Sequence, residues 1–250
     1  MTTLREKTAL VVGGSSGVGR ATVQALLAEG VRVTAVARGE DRLRLLATEL
    51  GDGLTTVVGD ASEPAFANRL LRDIMPDLLV IAAGVSARSL VFDAFDWESF
   101  SAAWNSDLKM SFHFVKQAFA LPLRPGSTIV LVSSGAAING SPLSGGYAGA
   151  KRMQWLLAGY AQKQSDARQL DLRIIAVLPT QLIQGSVIAA SASKAYGALL
   201  GITAEEFMGR SPVPLTNDKV AAAIVGALQR DVPVDTAAIA VNGSGAEPIK

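Results

Sequence analysis

The chain contains no cysteine and a single histidine. The first absence excludes disulfides, thiolate nucleophiles and Cys-ligated metals; the second leaves too few ligands for a zinc site, so no metal is expected. Charge of one sign is also missing, with 23 Lys and Arg against 22 Asp and Glu. That balance gives no field strong enough to gather nucleic acid or an anionic membrane, and a small-molecule substrate is the expected partner. No apolar run approaches the ~20 residues that a membrane span needs. The opening M-T-T-L-R-E-K passes straight into a strand-like run without the apolar stretch of a secretory leader, which makes a cytoplasmic address the default expectation. Aromatic residues amount to only 6%, yet Trp97, Phe100, Trp104, Phe112, Phe114 and Phe119 crowd into one helix-length segment. This is more apolar mass than one buried face requires, so the residues either divide between the core and a subunit interface or all belong to the core.

What is present is a set of short Val, Ile, Leu and Ala runs at 8–12, 31–37, 54–58, 78–82, 128–132, 173–178 and 238–241. Continuous runs of this kind suit strands covered on both faces. Helix-length segments with apolar spacings of three and four alternate with them, at 18–29, 40–50, 62–73, 96–121, 146–169 and 217–230. The alternation predicts an α/β fold: one Rossmann-like, doubly wound parallel sheet of about seven strands with helices on both faces, spanning residues 1–250 as a single domain. The one irregular insertion, residues 179–214, contains two short helical segments near 186–200 and 204–208 and leaves the carboxyl end of the sixth strand. Ligands of open α/β sheets sit at that end, so the insertion reads as a substrate lid.

Between the first strand and the first helix lies G-G-S-S-G-V-G, residues 13–19. Glycines there permit a tight turn and close backbone approach to a pyrophosphate at a helix N-terminus. At the end of the second strand, where an acid would bind the adenosine ribose of NAD, the chain has Ala37 followed by Arg38. A guanidinium pairs with a 2′-phosphate that an acid would repel, which favours NADP(H), with NAD(H) left open. Arg42 stands near enough in sequence to assist. Asp60, after the third strand, serves either as a helix cap or as an acceptor for an adenine amine.

Tyr147 and Lys151 occur in Y-A-G-A-K, one helical turn apart and therefore on one face. A free phenol ionises near pH 10, so a phenolate base at neutral pH requires about 4 kcal/mol of preferential stabilisation, much of which a neighbouring ammonium supplies. Ser134, at the end of the fifth strand, is placed to donate a hydrogen bond to a substrate oxygen.

The order of G-G-S-S-G-V-G, Asp60, I-A-A-G at 81–84, Ser134, then Tyr147 and Lys151 closely resembles the short-chain dehydrogenase/reductase family over nearly the whole chain. The resemblance implies a seven-stranded parallel sheet, a catalytic set of Ser134, Tyr147 and Lys151, and Pro179 leading into the nicotinamide loop. It also implies hydride transfer at a carbonyl or alcohol carbon and a homo-oligomer, a tetramer or dimer, packed through the two long helices. Cofactor binding then falls on Gly13, Ser15, Ser16, Gly17, Val18, Gly19, Arg38, Asp60, Ala61, Ala83, Gly84, Tyr147, Lys151, Pro179 and Leu182. Five positions depart from the family pattern. Ile81 and Ala82 replace the N-N of N-N-A-G and have no side-chain amides to tie that loop down. Asp107, in D-L-K-M-S-F, stands where an asparagine helps hold a proton-relaying water, and its charge favours a charged Lys151; it joins the catalytic set. Thr180 and Gln184 replace a glycine and a threonine after Pro179.

His113 reads as a packing or interface residue. Ser86 and Arg88 are candidates for the substrate border, with Leu143, Leu182 and Val187 as apolar wall. The function expected is NADPH-dependent reduction of a ketone or aldehyde to an alcohol, reversibly. The alternative is an NADP-binding regulatory or scaffold protein of the same fold with impaired catalysis, against which the intact serine, tyrosine and lysine argue.

Overall fold

Most of the apolar runs become strands because helices cover them on both sides. The computed structural model describes residues 3–85, 88–121, 123–233 and 236–249. Seven strands run parallel: β1 (Thr8–Val12), β2 (Arg32–Ala37), β3 (Leu54–Val58), β4 (Leu78–Ile81), β5 (Thr128–Val132), β6 (Arg173–Pro179) and β7 (Ala238–Asn242). Their order is β3-β2-β1-β4-β5-β6-β7, so the winding direction reverses between β1 and β4 and opens a crevice beyond their carboxyl ends. Every residue of β4 and β5 is buried. β3 departs from that expectation: none of its five residues is buried, because it is the outermost strand.

An eighth strand, β8 (Gly245–Ile249), pairs antiparallel with β7. The Asn242 side chain accepts from the backbone N–H groups of Ser244 and Gly245 at 2.8 and 3.1 Å and so closes the turn between them. The exposed G-A-E-P-I lacks an apolar run, so hydrophobic pattern does not announce it.

Successive residues of each strand point to opposite layers. Ala9 and Val11 pack with Val23 and Leu26 of α1 (Gly17–Ala28), Leu43 and Leu46 of α2 (Glu40–Leu50), and Ile224 of the C-terminal helix Asn217–Leu228. Leu10 and Val12 face the other layer, with Leu70 and Leu71 of α3 (Pro64–Ile74) and Phe114. Each fully buried leucine contributes roughly 2 kcal/mol of transfer free energy.

The segment expected as one helix over 96–121 is α4 (Trp97–Ala103), a π-helical turn (Trp104–Leu108) and α5 (Lys109–Ala120). Period 3.6 cannot reveal such an insertion, because its apolar spacing is the same on either side. Side chains hold the widened turn: the Trp104 indole donates to Gly146 O at 2.8 Å, and Ser111 Oγ and Gln154 Nε2 donate to Asp107 O at 2.9 and 3.3 Å. After the short α6 (Ala136–Asn139) comes α7 (Gly146–Ala167), which carries Gln154. The insertion over 179–214 forms α8 (Val187–Leu200) and α9 (Ala204–Gly209) near the expected ranges, followed by α10 (Asn217–Leu228). Thr203 and Glu206 cap α9 reciprocally, and Tyr196 of α8 stacks on Phe207 with ring centroids 5.3 Å apart. Among the described residues no helix is long and apolar enough to cross a membrane.

Candidate active site

The glycine loop after β1 is dictated by contact. A Cβ on Gly19 would lie 2.1 Å from Gly13 O, and one on Gly13, at φ +87°, would lie 2.5 Å from Ala83 N in the loop after β4. Both positions exclude any side chain, so the two loops lie flush against each other. At the start of α1, Ser16 makes no side-chain cap, and the first turn carries no acidic residue. Its free N–H groups and the positive end of the helix dipole thus face the crevice, beside half-buried Ser15 and Val18 and exposed Ser16 and Gly17. A close-packed glycine cradle beneath an uncapped helix start fits the pyrophosphate of a dinucleotide.

Arg38 is exposed just past β2 and makes no ion pair among the described residues; Arg42 is exposed one turn on, likewise without an ion pair. The Asp60 carboxylate accepts from Ser62 N at 2.9 Å. That bond and one from the Ser62 side chain hold its pKa below the usual value, with the Arg38 and Lys109 charges adding. Of the two roles considered for Asp60, helix capping falls elsewhere: the N-cap of α3 is Glu63, with Pro64 at the first helical position. Ala61 is buried beneath this corner.

On the other side of the crevice, α7 is bound to β5. Ser133 Oγ donates to Lys151 O at 2.7 Å, and Lys151 Nζ lies 3.4 Å from Val132 O. The ammonium pairs with Asp107 Oδ2 at 2.9 Å, the two side chains being 7% and 0% exposed. The other Asp107 oxygen accepts from Val85 N at 2.9 Å. Burial by itself would favour neutral lysine, but the Asp107 and Tyr147 charges and the Asp107 hydrogen bond outweigh it, so the Lys151 pKa is raised. The same ammonium sits 5.6 Å from the centroid of the half-buried Tyr147 ring. Ser134 is half-buried, and its Oγ accepts from Ala136 N at 3.2 Å, leaving its own proton to donate. Tyr147, Lys151, Asp107 and Val85 thus form one connected group, and Ser134 follows the strand end that is bound to Lys151 through Ser133 and Val132. An arrangement of phenol, hydroxyl and buried cation can exchange a proton with a bound oxygen and steady the charge left behind.

The loop after Pro179 is held in its own way. Gly135 N donates to Pro179 O at 2.7 Å, and Thr180 Oγ1 donates to Val241 O at 3.1 Å. Gln184 N donates to Leu215 O at 2.8 Å through its backbone, so its side chain has no part in that anchoring. Leu182 is half-buried and Leu143 buried, but Val187 is 76% exposed and lies outside any closed wall in this state. Arg88 is exposed, and Ser86 lies outside the described residues.

Two features escape a reading of the sequence. Gln154 is fully buried and joins Ser111 to the Asp107 carbonyl; its one signal is its place on the Lys151 side of α7. Tyr196 of α8 meets Ser141 in the β5–α7 connection through a hydroxyl–hydroxyl hydrogen bond, a contact with no local pattern. Among the described residues no group of three His, Cys, Asp or Glu could hold a metal ion.

The family model for short chain dehydrogenases matches residues 7–193. An uncharacterized oxidoreductase of Mycobacterium tuberculosis is 36% identical over 161 residues, which span 63% of this chain and 63% of that relative. Among solved structures, levodione reductase superposes with a TM-score of 0.83 at 22% identity, covering 98% of both chains. A 3-ketoacyl-(acyl-carrier-protein) reductase from Brucella melitensis complexed with NADH does so with 0.81 at 19% identity, covering 96% of this chain and 98% of that one. At such identities the structural likeness speaks for the fold, whereas the family model covers well over half of the chain and includes the glycine loop, Ser134, Tyr147 and Lys151. The chain belongs to the short-chain dehydrogenase/reductase family.

Proposed function

We propose that this protein is an NADP(H)-dependent oxidoreductase that interconverts a ketone or aldehyde with the corresponding alcohol. The reading is carried by one observation: a buried, charged Lys151 stands beside the half-buried Tyr147 ring, on a helix bound to the strand that Ser134 follows. Residues 13–19 and the start of α1 would hold the pyrophosphate, and Arg38 the 2′-phosphate of the adenosine ribose. When bound, the nicotinamide supplies or accepts the hydride at the substrate carbon. In the reductive direction Tyr147 gives its phenolic proton to the substrate oxygen, and Ser134 donates a hydrogen bond to that same oxygen. The phenolate left on Tyr147 is stabilised by the Lys151 ammonium, which Asp107 keeps protonated. In the oxidative direction the same phenolate removes the alcohol proton. The lid and its surroundings contribute small and apolar residues, with Val187, Ile188, Leu199 and Leu200 exposed on α8, which suits a modest apolar carbonyl compound.

The test is a panel of carbonyls and alcohols followed by nicotinamide absorbance, with both cofactors run in parallel. Turnover is expected with NADPH, and Tyr147→Phe should lower it about a hundredfold or more while leaving NADPH affinity nearly intact. A Tyr147→Phe protein that keeps most of its turnover removes the tyrosine from this role. NADPH binding without turnover of any compound in the wild type would instead favour a regulatory role.

A further inference from the structure

Within this reading, the departures after β4 and in the long helix explain one another. Ile81 at the end of β4 and Ala82 and Ala83 in the loop after it have side chains that offer no hydrogen bond, and the loop must still lie flush with Gly13. What reaches it instead is Asp107. One carboxylate oxygen accepts from Val85 N at 2.9 Å and the other meets Lys151 Nζ at 2.9 Å. Gly84 leaves room for this, since a Cβ there would come within 2.7 Å of Asp107 Oδ2. The π-helical turn aims the side chain, and Ser111 and Gln154 occupy the carbonyl that the turn frees.

We propose that Asp107 is the positioning residue of this site, a carboxylate clamp that joins the Lys151 ammonium to the cofactor-side loop after β4. A carboxylate is suited to this because both of its ends accept. An asparagine has one accepting end, so against two donors it satisfies only one and turns its amide protons on the other. The clamp also settles the geometry of the lysine. One of its N–H groups reaches Val132 O at 3.4 Å, while the ion pair holds the ammonium 2.9 Å from Asp107 Oδ2. Two titratable groups act on Lys151 here: Asp107 from the π-turn and Tyr147 from its own helix. The shift in Lys151 follows largely from the clamp, since losing the carboxylate leaves only the Tyr147 charge to oppose burial.

The clamp rests on the oxidoreductase reading for its purpose, but it can be tested in the cofactor-free protein. The Lys151 ¹³Cε resonance is followed against pH, and hydrogen exchange of the Val85 amide is measured, in the wild type, Asp107→Asn and Asp107→Ala. Asp107→Asn should move the lysine midpoint to lower pH by about one unit or more. Asp107→Ala should do the same and also speed Val85 exchange about tenfold or more. Should Asp107→Ala fail to fold, Gly84→Ala provides the second variant, because its methyl group displaces the carboxylate without removing the charge; faster Val85 exchange is expected there too. Unchanged lysine midpoints in Asp107→Asn, or unchanged Val85 exchange in the variants that disrupt its acceptor, overturn the proposal. Where the wild type turns over substrate, Asp107→Asn should shift the alkaline limb of the kcat profile to lower pH, an effect that mere loosening of the fold does not produce. A wild type without turnover defeats the enzymatic reading and leaves the two cofactor-free measurements to decide the clamp.

Discussion

At the scale of residues, Tyr147 and Lys151 are legible from sequence because a helix places residues four apart on one face whatever surrounds it. The glycines of residues 13–19 are legible for a related reason, since a backbone that touches backbone admits only one residue type. Arg38 belongs here too. Its exposed guanidinium, without an ion pair among the described residues, is free to meet a phosphate, and Asp60 lies within its electrostatic reach. Arg38→Asp should lower the NADPH to NADH ratio of kcat/KM about tenfold or more, because an attraction becomes a repulsion. Steady-state kinetics with each cofactor gives the ratio, and an unchanged value dismisses the phosphate assignment. The partner of Lys151 is less legible. Asp107 could be named as a replacement for an asparagine, but the direct 2.9 Å pair and its second contact to Val85 depend on where two distant segments meet.

At the scale of elements, strands and helices fell close to the ranges that periodicity predicts, and the exceptions share a cause. β8 forms because β7 offers an edge and Asn242 closes the turn, while the π-turn forms because side chains from α7 and α5 satisfy a displaced carbonyl. Neither depends on the pattern of the segment itself. A polar junction of the same kind joins β1 to the start of β4. Asp77 Oδ2 accepts from both Thr8 N and Thr8 Oγ1 at 2.9 Å, and Oδ1 accepts from Arg124 at 3.1 Å. Partial burial opposes the charge, but these bonds and the Arg124 charge outweigh it and depress the Asp77 pKa below its ordinary 3.8. A depressed carboxylate contributes stability that is present above the ordinary value and lost as pH falls through the folded one. Asp77→Ala should therefore cost about 1–3 kcal/mol at neutral pH in urea unfolding, with the difference from wild type narrowing in acid. A gap that stays constant as the solution is acidified would place the effect in packing and not in charge.

At the scale of the whole molecule, the two long helices carry more exposed aromatic surface than a lone subunit needs. Trp97 is 77% and Phe112 46% exposed on the α4–α5 rod, and Tyr160 is 55% exposed on α7. The chain is expected to associate with copies of itself through this surface, giving a solution mass that is a multiple of 25.9 kDa. Phe112→Glu should lower that mass in light scattering; a wild type that stays at one subunit across concentration counts against association. The amino-acid sequence by itself determined the alternation of strand and helix, the glycine cradle after β1 and the pairing of phenol with ammonium along one helix. These follow from period, backbone sterics and neighbours within a turn. Only the tertiary structure decided the rest: the carboxylate beside Lys151, the amide it holds in the loop after β4, the π-turn that aims it and the extra strand at the sheet edge. Each needs a partner from a remote segment, and the strength of a buried charge pair depends on the surrounding groups that exclude water from it.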